Sequence, residues 1–333
     1  MPRHRRIDFV GAFHHVIIRG IGRGLIFRED SDRKVFLGRL ALLLEETDTK
    51  CPAWVLMPNH AHFLFRTGRD TLGKLMQRLL LSYAQWFNRK NGRIGHLFHN
   101  RYKAILCEEE PYFLELVRYI HLNPLRGGLV QDYGELERFP WGGHRTLLGK
   151  VRLDWQDVDG VLAVFGNKRR KAREAYDQFV RAGENMGRRD DLMGGGLLRS
   201  VGGMEGIRSI RRDKMLVRGD ERILGSGEFV ARVLMEREQV DRRREGIRKR
   251  ISPAAAVAKA AAIFGVAETG IHRNGKRPTE ARARALACKW LVEDMGLPGV
   301  EVATLLGITP PAVCRCVIRG KKIEAEMRLG LLD

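Results

Sequence analysis

The first 130 residues alternate between short apolar runs with the two-residue period of strands and longer segments with the 3.6-residue period of amphipathic helices. Strands are predicted at 14–19, 53–57, 61–65 and 102–107, and helices at 31–44, 72–88 and 110–122. This order of elements is typical of an antiparallel sheet with helices packed on it. The sequence therefore predicts an α+β domain over residues 1–150.

The remaining residues have mainly helical patterns. Residues 151–250 are predicted to form a basic helical connector, with a glycine-rich stretch at 194–203. Ser252 is a suitable helix cap and Pro253 suits the first helical position, so a new helix is predicted to begin there. Residues 251–333 are accordingly predicted to form an all-α domain.

Charge indicates the class of partner. The 333 residues carry a formal net charge of +20, and 44% of them are hydrophobic, which is typical of a folded protein. Basic surfaces attract phosphate polyanions, since binding releases condensed counterions. DNA is therefore the expected partner. A membrane is not expected, because no apolar run approaches the ~20 residues that a spanning helix needs.

The expected location is the cytoplasm, in association with the nucleoid. The opening residues are basic but lack the apolar core of an export signal. The five cysteines are scattered and lack C-x-x-C spacing, which favours free thiols in a reducing compartment.

The His60-Ala61-His62 segment is a candidate metal site. Side chains alternate along a strand, so both imidazoles would lie on one face with Ala61 on the other. Such a pair alone is a weak signal, because strand histidines are often ordinary polar surface residues. The residues that follow, FLFRTG, do not fit cupin-like or zinc β-lactamase-like sites, and neither H-E-x-x-H nor an H-x-E with C-x-x-C is present.

Tyr119 and Asn123 form a second candidate pair. They are four residues apart, so a helix would place them on one face, and Pro124 would end that helix. An ordinary helix with a half-buried tyrosine has the same pattern. Tyr102 and Tyr112 are alternative nucleophiles, but neither has a polar partner one turn away.

Three motifs resemble those of the single-tyrosine HUH transposases, particularly the REP-associated tyrosine transposases and their insertion-sequence relatives. They are MPNHAHFLF (57–65), LFHNRYKAIL (97–106) and RYIHLNPLRGGLV (118–130). The resemblance implies a ferredoxin-like or RRM-like fold. The resemblance also includes RGIGRGLIFRED (19–30). It departs from the family pattern at Ala61, where a larger apolar residue is usual, and at Ile21, where asparagine is usual.

The resemblance also implies roles for the candidate residues. His60, His62 and Asn123 would hold Mg²⁺ or Mn²⁺, and Tyr119 would be the nucleophile. Attack on single-stranded or hairpin DNA would give a 5′-phosphotyrosine and a free 3′-OH, which allows strand transfer without ATP. A homodimer with exchanged tyrosine helices is possible. The neighbouring basic residues are candidate phosphate clamps: Arg101, Lys103, Arg118 and Arg126.

Residues 299–320 fit a helix-turn-helix that would bind duplex DNA. Gly307 is placed at the turn, Thr309 as the cap of the second helix and Pro310 in its first turn. Arg315 and Arg319 would then face the major groove. A plain helical hairpin is the alternative. The wider stretch 253–322 resembles the DNA-binding domain of the bacterial replication initiator, except that ITPPAV replaces its base-reading turn.

Three functions remain open from the sequence. The first is a metal-dependent transposase that cleaves and rejoins DNA. The second is an inactive, domesticated DNA-binding regulator, which the basic charge and the helix-turn-helix pattern favour equally. The third, RNA binding through an RRM-like sheet, is weaker because exposed aromatic stacking pairs are not evident.

Overall fold

A computed structural model of the chain describes residues 7–187, 189, 192, 220, 222–272 and 277–332. The glycine-rich stretch 194–203 lies outside these residues. Two compact units divide the chain at residues 232 and 233. This division differs from the three predicted segments, whose boundaries were at 150 and 250.

The first unit contains a five-stranded sheet with the order β2-β3-β1-β4-β5. Its strands are β1 (Phe13–Arg19), β2 (Lys50–Met57), β3 (His60–Arg66), β4 (Lys103–Cys107) and β5 (Ile223–Leu224). The first four strands pair antiparallel, and their order together with the intervening helices gives the predicted ferredoxin-like arrangement. The short β5, which pairs parallel with β4, was not predicted.

Three long helices cover the two faces of the sheet: α1 (Asp30–Thr47), α2 (Leu72–Lys90) and α3 (Glu109–His121). α1 and α2 pack on one face, where Phe36 and Tyr83 are fully buried. α3 packs on the other face through Leu116, Val117 and Ile120, which are also fully buried. The sheet therefore separates two hydrophobic cores.

The α3 core extends into a group of shorter helices: α4 (Asn123–Arg126), α5 (Tyr133–Arg138), α6 (His144–Leu147), α7 (Val158–Leu162) and α8 (Arg169–Arg181). Ala172, Tyr176 and Val180 recur every fourth residue on α8 and are fully buried against this core. Residues 158–181 are therefore packed into the first unit, whereas the sequence predicted that they belong to a separate connector. The expected helix is absent from 151–157.

Helices dominate the described part of the second unit. They are α9 (Gly227–Arg250, which begins in the first unit), α10 (Pro253–Ile263), α11 (Glu268–Ile271), α12 (Pro278–Lys289), α13 (Gly299–Leu306) and α14 (Pro310–Met327). The Ser252 hydroxyl accepts a hydrogen bond from the Ala255 N–H, as the predicted cap requires. At Gly320, α14 comes so close to α12 that an added Cβ would lie 2.2 Å from the Ala285 carbonyl oxygen.

α13 and α14 have the geometry of a helix-turn-helix. Their axes cross at 96°, and the turn of residues 307–309 contains Gly307 with a φ of 64°. Thr309 occupies the cap position of α14, but its side chain makes no capping hydrogen bond, so that part of the prediction is wrong. The predicted similarity to the replication initiator stays a prediction.

None of the described helices is, by itself, long and apolar enough to cross a membrane. The bent pair α13–α14 is long and apolar enough, by length and composition only, when its two helices are taken together.

Candidate active site

The predicted histidine pair lies on the face of the sheet that α3 covers. His60 and His62 alternate with Ala61, which is fully buried in the core on the opposite side. In the register of the sheet, Arg19 on β1 lies opposite His60, and Ile17 lies opposite His62. The ring centroids of the two histidines are 5.3 Å apart. The strand pattern thus places both imidazoles as predicted.

A third histidine, His15 on β1, completes a row of rings on this face. Its ring stacks on that of His62 with the centroids 5.3 Å apart, and its Nε2 lies 3.0 Å from His62 Nδ1. Its Nδ1 lies 3.3 Å from the carbonyl oxygen of Leu192. His15 was not among the residues predicted from the sequence. A signal was available, because a strand position among Val16, Ile17 and Ile18 is usually apolar.

Tyr119 brings α3 to this row of imidazoles. Its ring centroid lies 5.8 Å from that of His15 and 5.9 Å from that of His62, and only 8% of the residue is exposed. The two candidate motifs, 57 residues apart along the chain, therefore meet at one site.

Asn123 lies at the start of α4, one turn beyond Tyr119. Its Nδ2 donates a hydrogen bond to the Tyr119 carbonyl oxygen at 2.8 Å. This bond fixes the orientation of the amide, because a carbonyl can only accept. The amide nitrogen is therefore engaged by the end of α3, and Oδ1 is the atom that Asn123 can offer to a cation.

Asn59 fixes the tautomer of His60. Asn59 Nδ2 donates to the Arg23 carbonyl oxygen at 3.1 Å, so the amide oxygen is the atom 2.7 Å from His60 Nδ1. His60 must donate to that oxygen through Nδ1–H. As a neutral imidazole it then carries its lone pair on Nε2, where a metal could bind.

Burial keeps these imidazoles neutral. It lowers the pKa of His15 and of His60 to about 4, and the nearby Arg19 charge adds to the effect on His60. The pKa of His62 also lies well below its usual range, first because of burial and then because of His15 and His60. Protons therefore do not compete with a metal ion for these nitrogens at neutral pH.

The donor set fits a divalent metal. Two neutral imidazoles and one amide oxygen suit Mn²⁺ or Mg²⁺ and leave positions for phosphate oxygens. In the described parts of the chain, no three His, Cys, Asp or Glu side chains form a candidate metal cluster. The predicted ligand set contains only two such residues, His60 and His62, and its third member is the amide of Asn123.

Cationic side chains border the site. The Arg126 guanidinium lies 5.6 Å from the Tyr119 ring centroid. Lys103 lies opposite Ile17 and thus on the histidine face, while Arg101 is exposed on the preceding loop. Arg19, beside His60, was missed because only the pairing of β1 with β3 brings it there.

Arg118 has a different environment from these cations. It is 8% exposed, and its Nη2 donates to both carboxylate oxygens of Glu115 at 2.6 and 2.7 Å. Its guanidinium also lies 4.3 Å from the ring centroid of Phe179 on α8. Arg118 therefore contributes to the packing of α3 against α8, and its predicted contact with DNA stays a prediction.

The alternative nucleophiles lie elsewhere. Tyr102 packs into the core beneath α1 and α2, on the opposite side of the sheet from the histidines. Tyr112 packs against the α3 core, two helical turns before Tyr119. The geometry thus favours Tyr119.

Comparison with known proteins relates the N-terminal residues to one family. Residues 10–123 match the family model described as "Transposase IS200 like". This N-terminal part of the chain is therefore similar to the IS200-like transposases. The match includes the residues of the candidate site up to Asn123, and residues 124–333 lie outside it.

A solved structure also resembles this chain. It is a REP-associated tyrosine transposase bound to a REP hairpin, with 19% sequence identity and a TM-score of 0.36. The similarity covers 47% of this chain and 93% of the other. No curated protein matches the chain.

Proposed function

We propose that this protein cleaves and rejoins single-stranded or hairpin DNA through a 5′-phosphotyrosine on Tyr119. The observation that carries the proposal is the position of the Tyr119 ring, within 6 Å of the rings of His15 and His62 on the sheet. A phenol next to lone-pair nitrogens of a candidate metal site is suited to phosphoryl transfer.

The proposed reaction conserves a phosphoester bond. The Tyr119 hydroxyl oxygen attacks the phosphorus and loses its proton, while the bond from phosphorus to the 3′ oxygen breaks and that oxygen gains a proton. The 5′ end then remains on Tyr119. A 3′-OH reverses these steps and releases the tyrosine, so one strand is joined to another without external energy.

The residues of the site have different proposed roles. His60, His62 and Asn123 would hold Mg²⁺ or Mn²⁺, which when bound would polarise the phosphate and offset its developing charge. Arg126 and Lys103 would bind the phosphate backbone, and Arg101 would contact DNA further out.

The helix-turn-helix would target the enzyme to duplex DNA. Arg315 and Arg319 are exposed and lie one turn apart on α14, the second helix of the pair. Exposed arginines at this position suit bidentate contacts with guanine and contacts with phosphates. Thr309, exposed at the start of α14, would add a phosphate contact.

A covalent-adduct assay tests the catalytic proposal. We expect a Mn²⁺-dependent protein–DNA band that resists SDS with the wild type and is lost with Tyr119→Phe, because phenylalanine lacks the attacking oxygen. The measurement uses labelled single-stranded and hairpin oligonucleotides with Mn²⁺ or EDTA. Tyr112→Phe is the matched control on the same helix and should retain the band.

Absence of the band in the wild type, with duplex binding intact, would favour the DNA-binding regulator instead. Loss of the band in both variants would show that the helix, not the nucleophile, had been damaged.

Duplex binding tests the targeting role. We expect Arg315→Ala and Arg319→Ala each to weaken binding by about 1–3 kcal/mol, with a reduced salt slope where a phosphate contact is lost. Lys321→Ala is the control, because it removes the same charge from α14 but from an ammonium paired with Glu293. Equal effects from all three variants would indicate nonspecific attraction.

A further inference from the structure

His15 is buried and contacts the candidate ligand His62, but it has no role in the proposed reaction. Its two ring nitrogens each face one partner: Nδ1 lies 3.3 Å from the Leu192 carbonyl oxygen, and Nε2 lies 3.0 Å from His62 Nδ1. These two contacts determine where the protons of both rings must be.

The Leu192 carbonyl oxygen fixes the first proton. A carbonyl oxygen only accepts hydrogen bonds, so His15 must donate to it through Nδ1–H. His15 is fully buried, and an imidazole in its neutral form carries one ring proton. Its Nε2 is then a lone-pair acceptor.

The second proton follows from the first. Because His15 Nε2 accepts, His62 Nδ1 must be the donor in the 3.0 Å contact. Neutral His62 therefore carries its lone pair on Nε2. This is the same tautomer that Asn59 imposes on His60, so both candidate ligands offer Nε2.

We infer that His15 is a positioning residue that holds His62 in the Nδ1–H tautomer and in the ring orientation for binding a divalent metal. The chain of contacts is the Leu192 carbonyl, His15, His62 and then the metal. Outer partners of metal-binding histidines usually act in this way, and their loss commonly weakens metal affinity by about 10–100-fold. This role of His15 rests on the proposed function only for the identity of the metal-binding face.

The first measurement needs no metal and no activity. Long-range ¹H–¹⁵N correlation spectra of histidine-labelled, metal-free protein report the tautomer of each ring. We expect His60 and His62 as Nδ1–H tautomers in the wild type. In His15→Phe, which keeps the ring but removes the acceptor, His62 should shift toward the Nε2–H form. An Nε2–H tautomer of His62 in the wild type would overturn the inference.

The second measurement is the Mn²⁺ dissociation constant by electron paramagnetic resonance. It should rise by about 10–100-fold in His15→Phe. His15→Gln can place an amide oxygen near the position of Nε2, so it should recover most of the affinity. Unchanged Mn²⁺ affinity in His15→Phe would overturn the inference.

His14→Phe is the matched control for both measurements. His14 is the neighbouring buried histidine of β1, and strand alternation places its side chain on the other face of the sheet. Its substitution should leave the His62 tautomer and the Mn²⁺ affinity unchanged.

Failure of the inference is distinguishable from failure of the proposed function. A wild type with the expected tautomers and Mn²⁺ affinity that forms no DNA adduct would retain the role of His15 and reject strand cleavage. A wild type that forms the adduct, with the same Mn²⁺ affinity in His15→Phe, would support strand cleavage and reject the role of His15.

Discussion

The Arg126 side chain lies next to the ring of Tyr119, the proposed nucleophile. Its guanidinium is 5.6 Å from the Tyr119 ring centroid, and its Nη2 donates to the Gly183 carbonyl oxygen at 3.3 Å. Its Nε and Nη1 are buried and have no hydrogen-bond partner within the described part of the chain. Buried guanidinium donors without partners are costly, and a phosphate oxygen would satisfy them.

We therefore expect Arg126→Met to lower the rate of adduct formation at saturating DNA by about 10–100-fold, since donors aimed at developing charge act mainly in the transition state. Arg101→Met is the control, because that exposed side chain should affect affinity more than the saturated rate. Single-turnover kinetics over a range of DNA concentrations separate the two quantities. A pure change of affinity in Arg126→Met would contradict a role in the transition state.

For individual residues, sequence patterns predict those positions that depend on local spacing. Strand alternation places His60 and His62 together, and helical spacing places Asn123 one turn beyond Tyr119. His15 could not be assigned in this way. Its role depends on strand register and on a carbonyl group 177 residues away along the chain.

α3, the helix that carries Tyr119, is anchored by α8. The Tyr176 hydroxyl lies 2.8 Å from His121 Nδ1 on α3 and 2.8 Å from His144 Nδ1 on α6. All three side chains are buried. The Tyr176 hydroxyl thus connects α8 to α3 and α6. Its contact on α3, His121, is two residues beyond Tyr119, so it restricts the position of the end of α3.

We expect Tyr176→Phe to destabilise the first unit by about 2–4 kcal/mol, because two buried imidazole nitrogens lose their partner. Adduct formation should also slow, although Tyr119 itself is unchanged. Chemical denaturation and the adduct assay measure the two effects. Tyr133→Phe is the control. The Tyr133 hydroxyl bonds to Asp177 on α8 and, within the described part of the chain, makes no hydrogen bond to α3, so its loss should cost less and leave the reaction rate unchanged. A Tyr176→Phe rate equal to that of the wild type would argue against the anchor.

Element by element, the sequence predicts the βαββαβ order but not the attachment of α8. The ferredoxin-like order follows from periodicity because each element has its own apolar pattern. The stripe of Ala172, Tyr176 and Val180 shows that α8 is amphipathic, but not which surface covers it. β5 has two residues, too few for a period-two pattern to be recognised.

Across the whole molecule, the buried histidines are concentrated in the first unit. Burial lowers the pKa of His15, His60 and His144 to about 4, and it places the pKa values of His62 and His121 well below their usual range. From residue 233 onward the sequence contains one histidine, His272, and it is exposed. The two units should therefore differ in their response to mild acid.

The expected response follows from proton binding in the two states. Well above pH 6.5 these histidines are neutral in both the folded and the unfolded chain, so they impose no penalty on folding. As the pH falls from about 6.5 toward 4, the unfolded chain binds protons that the folded first unit does not. Each such group then lowers the free energy of unfolding by up to about 1.4 kcal/mol per pH unit.

Hydrogen exchange of the full chain at pH 7.5, 6.0 and 5.0, corrected for intrinsic exchange rates, should show a selective loss of protection in the strands and in α3, with α12 and α14 little affected. Parallel loss of protection in both units over this range would contradict the assignment of acid sensitivity to the buried histidines.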